Sequence, residues 1–338
     1  MTMLLGIDVG TTGTKSTLVT AEGKILSKSY MPYSYTSGED GRFEQNPSEW
    51  YEAVRVTVNE CCKDYDKCDI KALALSTQGG TLVPVDREGN ELCNAIVWMD
   101  TRAGKQGKQL KARYGDDWFY EKTGWRPGNC FNMLQILWLR ENEPQIFDRT
   151  YKFLSTIDYL HFKLTGRFVI DITNACITQL FNVCDKDWDD EILSICGISR
   201  ERLALPLDTG EFIGTLTEQA AVELGLNADT KVICGAQDQY IAAIGNGAFK
   251  AGDVLLSCGT SWCINAFTDK MICDKRSYFS MARHAIDGLW ASMAYSPAGG
   301  AALEWFRNNV GLVSDSGTAE SYSDIDRRVN EIPPGSDD

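Results

Sequence analysis

Apolar and polar residues alternate along 3–9, 14–20 and 24–33, which predicts three successive strands joined by tight turns. The alternation ends at Asn46-Pro47, where a capping residue, a proline at the first helical position and Glu49 open a helix. Tyr51, Val54, Val58 and Cys61 then recur at helical spacing. Residues 70–75 read as a short strand that delivers Ser76-Thr77-Gln78-Gly79-Gly80 to a loop. This βββαβ order joins an antiparallel hairpin to a parallel crossover in one mixed sheet. Strands are also predicted over 81–85 and 95–98, around a turn at 86–90. Helices are predicted over 103–113, 132–141, 158–164, 189–196 and 217–224, the last three stopped by Gly166, Gly197 and Gly225. A new cycle begins at Lys231, with a strand over 232–235, a turn at 236–239 and a short helix over 240–244. A hairpin over 255–264 and a strand over 290–294 follow, then a helix opened by residues 297–300 and running through Glu304 and Phe306. The last helix, 318–330, carries Tyr322, Ile325 and Val329 on one face.

Composition narrows the class. A chain of 338 residues has room for two domains, and 43% hydrophobic with 24% charged residues is globular usage. The net charge of −14 argues against nucleic acid as a general partner, while a few local cations and N–H groups suffice for one nucleotide. Met1 leads directly into the first strand, and no apolar run approaches the ~20 residues of a membrane span. The expectation is a cytoplasmic protein. Twelve irregularly spaced cysteines with two histidines argue against a zinc site, and Cys93, Cys176, Cys234 and Cys263 read as small core residues.

The candidate chemistry sits in the turns. Residues 6–15 place Asp8, Gly10, Thr11, Thr12, Gly13 and Lys15 in one turn between two strands, offering N–H groups and hydroxyls to a polyphosphate with its Mg²⁺. The turn around Gly259, Thr260 and Ser261 repeats the plan, so two related halves could grip one nucleotide; two ordinary small-residue hairpins are the other reading. Asp8 suits Mg²⁺ held through water, or a turn-stabilising role. Lys15 either reaches a phosphate or is an exposed strand lysine. Asp238 follows a strand and begins a helix, where the helix dipole would favour its ionised form. It reads either as an N-cap or as the acceptor of a substrate hydroxyl proton, and the adjacent Gln239 and the phosphate-type turns favour the second. Gln78, Trp98, Asp100 and Arg102 lie at strand ends and combine an aromatic face with amide, carboxylate and guanidinium, a set suited to a polyhydroxylated ligand. The competing reading makes Trp98 core and Asp100 with Arg102 a surface ion pair.

With these residues in place, the chain resembles the FGGY carbohydrate kinases, and among them the xylulokinases, over nearly its whole length. The resemblance rests on the turn from Asp8 to Lys15, Phe43-Glu44-Gln45-Asn46-Pro47 with Trp50, and the strand end from Ala95 to Arg102. It also rests on Asp158-Tyr159-Leu160 with Lys163-Leu164-Thr165-Gly166, Gly235-Ala236-Gln237-Asp238-Gln239, and Gly259-Thr260-Ser261. It implies an α/β, duplicated actin-like ATPase (ribonuclease H-like) fold, with mixed sheets, flanking helices and an incomplete second domain. The implied domains are 1–247, with the sugar site and first phosphate loop, and 248–338, with the second. It further implies phosphorylation of a primary hydroxyl of a ketose or polyol by MgATP. By the same resemblance Asp238 is the proton acceptor, Thr11, Thr12, Gly13 and Lys15 belong to the first phosphate loop, Thr260 to the second, and Gly300 with Glu304 to a nucleotide-contacting helix start. Two departures stand out. Xylulokinases carry Met-His, and glycerol kinases Arg-Glu, where this chain has Gly79-Gly80, so a bulkier or differently oriented polyol could fit. Family members also continue well beyond position 338, so the expectation is a chain cut within its second domain, with sheet edge and core uncovered. A homodimer, a non-enzymatic actin-like nucleotide switch and an inert fragment are the remaining expectations.

Overall fold

The computed structural model describes residues 1–128, 131–259, 262–274, 276, 279–296, 298–310, 321–333 and 335. The chain forms two compact units, Met1–Asp253 with Phe267–Ser292, and Val254–Ala266 with Met293–Asp338.

The first unit is built on a six-stranded mixed sheet. Its strands are β1 (Met3–Val9), β2 (Gly13–Thr20), β3 (Ile25–Pro32), β4 (Ile70–Thr77), β5 (Phe212–Thr215) and β6 (Lys231–Gln237), in the order β5-β6-β4-β1-β2-β3. The β1–β2 and β2–β3 pairs are antiparallel hairpins, as the alternation requires, whereas β4 runs parallel to both β1 and β6. The parallel crossover from β3 to β4 is carried by α1 (Pro47–Cys62). Asn46 caps α1, its side-chain oxygen accepting from the Ser48 N–H and hydroxyl. The buried stripe of α1 centres on Trp50, Val54 and Val58, and Tyr51 lies beside it with its hydroxyl on Glu223. Met3, Leu5, Ile7 and Val9 of β1 and Leu73 and Leu75 of β4 complete this core at 2% exposure or less.

The glycine-stopped helices form where the spacing places them, now as Thr156–Thr165, Asp190–Cys196 and Glu218–Leu224, with Asp189 and Thr217 as caps of the last two. Asp158 is not the start of its helix but the fourth member of a capping box opened by Ser155. Three helices have no clear periodic signature and were not expected: Asp116–Thr123, Pro144–Arg149 and Ile172–Ile177. The strand expected over 81–85 is limited to Val83–Val85, and the one over 95–98 to Ala95–Ile96. The first unit also reaches past position 247, taking in 267–292. Local bonds explain this: the Met281 N–H donates to the Gly124 carbonyl and the Arg283 guanidinium to the Val183 carbonyl.

In the second unit, Val254–Cys258 pairs antiparallel with residues 262–266 in the expected hairpin. Thr260 and Ser261 at its tip lie outside the described residues, as do 311–320 before the final helix Tyr322–Asn330. The helix Gly300–Asn309 buries none of its residues, and Val254, Leu256, Trp262, Leu303 and Trp305 are exposed. Cys176 and Cys234 are buried as expected, while Cys93 and Cys263 are half-buried.

Candidate active site

Three parallel strands end side by side. Asp8 of β1 is in register with Ser76 of β4, which is in register with Ala236 of β6; Val9, Thr77 and Gln237 follow one step on. Beyond those ends the chain presents Gly10, Gln78 and Asp238 together, at the carboxyl edge where open α/β sheets bind ligands.

Asp238 is the first residue of the helix Asp238–Gly245, and Gln237 occupies the cap position. The cap reading of Asp238 is therefore set aside. Its carboxyl is nevertheless not held ionised by the helix start. Burial first, and the Asp8 carboxylate second, push it up to about 7 against the Gln239 N–H, which acts in the other direction. A helix terminus contributes at most about 2 kcal/mol even in partly buried sites, too little to offset desolvation and a like charge. A carboxyl near 7 is half ionised at neutral pH and matched to taking up a proton. Asp8 itself accepts from the Ser76 hydroxyl at 3.1 Å.

The first turn is braced from β3 and its exit. The Gly10 N–H donates to the Gly13 carbonyl at 3.1 Å, and the Tyr33 hydroxyl donates to the Gly10 carbonyl at 2.6 Å. Tyr30 covers Gly13 so closely that a Cβ there would lie 2.5 Å from its ring. Thr12 and Lys15 are exposed, with the Lys15 ammonium 6.0 Å from the Tyr30 centroid. Thr11 turns away from the expected role of its hydroxyl. That hydroxyl donates to the Gln78 Oε1 at 2.9 Å and accepts from the Trp98 indole N–H at 3.1 Å, so its proton is committed to the sugar-side residues.

Trp98 is 43% exposed, which makes it an open aromatic face and not core. Asp100 and Arg102 are corrected in the other direction. Asp100 is buried, with its oxygens taken by the Phe43 N–H, the Arg102 N–H and the Arg102 guanidinium. Arg102 also pairs with Glu44 at 2.7 Å and lies 5.0 Å from the Trp138 ring, so the pair is internal framework beneath the site. Gly79 and Gly80 do not simply widen the cleft. A Cβ on Gly79 would lie 3.2 Å from both Gln237 and Ile177, and Gly80 adopts φ +70° against Trp98. The space a longer side chain would take is occupied by Gln237 and Ile177. Among the described residues the buried Gln239 side-chain oxygen has no hydrogen-bond partner, which makes it an acceptor suited to a ligand hydroxyl. In the second unit the Gly300 N–H donates to the Gly259 carbonyl at 2.9 Å, and Glu304 is exposed on the helix that follows.

Sequence reasoning passed over Ser76, Tyr33, Ile177 and Gln45 as site residues. Gln45 lay inside a motif already noted, and only its contacts single it out: its amide donates to the Thr11 carbonyl at 2.8 Å and accepts from Gln78 at 2.9 Å. Among the described residues no group of three or more His, Cys, Asp or Glu side chains could hold a metal. Asp8 with its neighbours fits the looser habit of Mg²⁺, which keeps waters and takes one or two carboxylates plus phosphate oxygens.

Residues 3–245 match the FGGY family of carbohydrate kinases, N-terminal domain. The chain belongs to this family. Its curated relatives include the xylulose kinase of Bacillus subtilis (strain 168), 29% identical over 337 residues, covering 99% of this chain and 66% of that protein. The gluconokinase of the same organism is 27% identical over 340 residues, again covering 99% of this chain and 66% of that protein. The crystal structure of a ligand-bound xylulose kinase from Lactobacillus acidophilus superposes with a TM-score of 0.92 at 27% identity, over 99% of this chain and 67% of that one. This FGGY chain thus spans about two thirds of the length of the relatives it matches. Its mixed α/β architecture is the actin-like fold expected from the motifs. Among the described residues no helix is long and apolar enough to cross a membrane.

Proposed function

We propose that the chain carries the sugar-binding and first phosphate-binding parts of an ATP-dependent carbohydrate kinase that phosphorylates a primary hydroxyl of a ketose or polyol. One observation carries the reading: the Asp238 carboxyl opens a helix at the joint edge of three parallel strands, beside Asp8 and the Gly10–Gly13 turn. Asp238 accepts the proton of the attacking hydroxyl as the new O–P bond forms, and the bond from the γ-phosphorus to the bridging oxygen breaks, leaving ADP. Asp8, steadied by Ser76, would hold Mg²⁺ through water, and the ion would supply charge neutralisation on the phosphates. Trp98 offers its ring to the C–H face of the sugar, and the Gln239 oxygen takes a hydroxyl. The N–H groups of the first turn and Lys15 serve the phosphates.

The acceptor proposed first is a ketopentose of the xylulose type. Arg102, the cation nearest Trp98 along the chain, is committed to Asp100 and Glu44, which favours a neutral acceptor over an aldonate. The test is a screen of the purified protein with MgATP against xylulose, ribulose, glycerol and gluconate, with the phosphorylated product read by mass spectrometry. Xylulose 5-phosphate is expected. Product from gluconate alone would replace the proposed substrate class, and no product from any acceptor would overturn the kinase reading.

A further inference from the structure

The hydrogen bonds around Thr11 have only one possible polarity. A main-chain carbonyl cannot donate, so the Gln45 group facing the Thr11 carbonyl is its NH₂, at 2.8 Å. That turns the Gln45 oxygen toward Gln78, which must then present its own NH₂, at 2.9 Å. The Gln78 oxygen is thereby left for the Thr11 hydroxyl proton, at 2.9 Å, and the hydroxyl oxygen in turn receives the Trp98 indole N–H at 3.1 Å. The bonds form a ring that starts and ends on Thr11, with one branch to the exposed indole. Gln45 and Gln78 are 3% and 2% exposed, so water does not compete for these bonds. Gln45 is itself fixed by the strand Phe43–Gln45, paired with Ala95–Ile96 just ahead of Trp98.

We propose that Gln45 is a positioning residue that ties the sugar face of the cleft to the first phosphate turn. By setting the amide orientation of Gln78 it fixes the proton of Thr11, and through Thr11 it fixes the plane of Trp98 relative to the turn at Gly10–Gly13. A ligand that stacks on Trp98 then steadies the turn, and a ligand on the turn steadies Trp98, so the two bind with positive coupling. This rests on the sugar-kinase reading for the identity of the ligands, but the hydrogen-bond ring does not.

The test uses the whole chain with ¹⁵N-labelled tryptophan, xylulose and MgATP. The indole N–H signal of Trp98 is assigned by its loss in Trp98→Phe. Gln45→Leu removes both the donor to the Thr11 carbonyl and the acceptor for the Gln78 NH₂, and Gln45→Met removes both at nearly the original length. Both variants are expected to shift the Trp98 indole signal, although no bond joins the two residues directly. Both should weaken xylulose binding roughly tenfold and abolish its enhancement by MgATP. Adding Trp98→Phe should cost little more. Gln45→His, whose neutral ring can donate on one nitrogen and accept on the other, should restore signal and binding toward the parent. An unmoved indole signal in folded variants, or losses that multiply independently with Trp98→Phe, overturns the proposal. If the parent binds no polyol, the sugar-binding reading fails, and the indole shift alone decides the tether.

Discussion

The charge of Asp8, at the end of β1, acts on Asp238 two strands away across β4, and with burial it holds the Asp238 carboxyl at about 7. Removing that charge isolates its share. In Asp8→Asn the Asp238 carboxyl should titrate at lower pH, read by ¹³C chemical shift of the carboxyl in the metal-free protein. An unchanged titration would place the whole effect in burial.

The elements carrying the site were readable because they depend on near neighbours. Alternation gave the β1–β2 hairpin, and Asn46-Pro47 marked the start of α1. Asp238 stood out because it follows a strand and precedes a helix. What stayed hidden depends on residues distant in sequence. The upward shift of Asp238 needs Asp8, and the burial of Asp100 and Arg102 needs Glu44, Phe43 and Trp138. Likewise, Gly79 reads as empty space until Ile177 and Gln237 are seen filling it.

The same carboxyl makes stability depend on pH. Its folded value, about 7, lies above the unfolded value of about 3.9, so folding favours the protonated form. The stability this provides is complete below about pH 4 and is lost as pH rises through 7. Asp238→Asn should therefore gain on the parent between pH 5 and pH 8, by up to about 3 kcal/mol. Urea unfolding at the two pH values checks it, and an equal difference at both would contradict it.

Arg102→Ala should destabilise the first unit by about 3 kcal/mol, because it leaves Asp100 charged and buried with only main-chain donors. Urea denaturation followed by tryptophan fluorescence measures the loss. A cost under about 1 kcal/mol would mean that the pair is solvated in solution.

Gly235→Ala should cost about 3 kcal/mol or more, since the added Cβ would lie 1.7 Å from the Leu75 carbonyl oxygen. The clash is with the backbone of β4, so no side chain can move aside. Thermal unfolding of the variant reads the effect, and a parent-like midpoint would show that the two strands can part at this point.

Asp238→Asn tests the central claim most directly, by measuring phosphoryl transfer to xylulose alongside xylulose affinity in the same preparation. The account predicts transfer reduced by about 10²–10⁴ with affinity within a few-fold of the parent. Transfer at the parent rate, or loss of affinity in step with transfer, would contradict it.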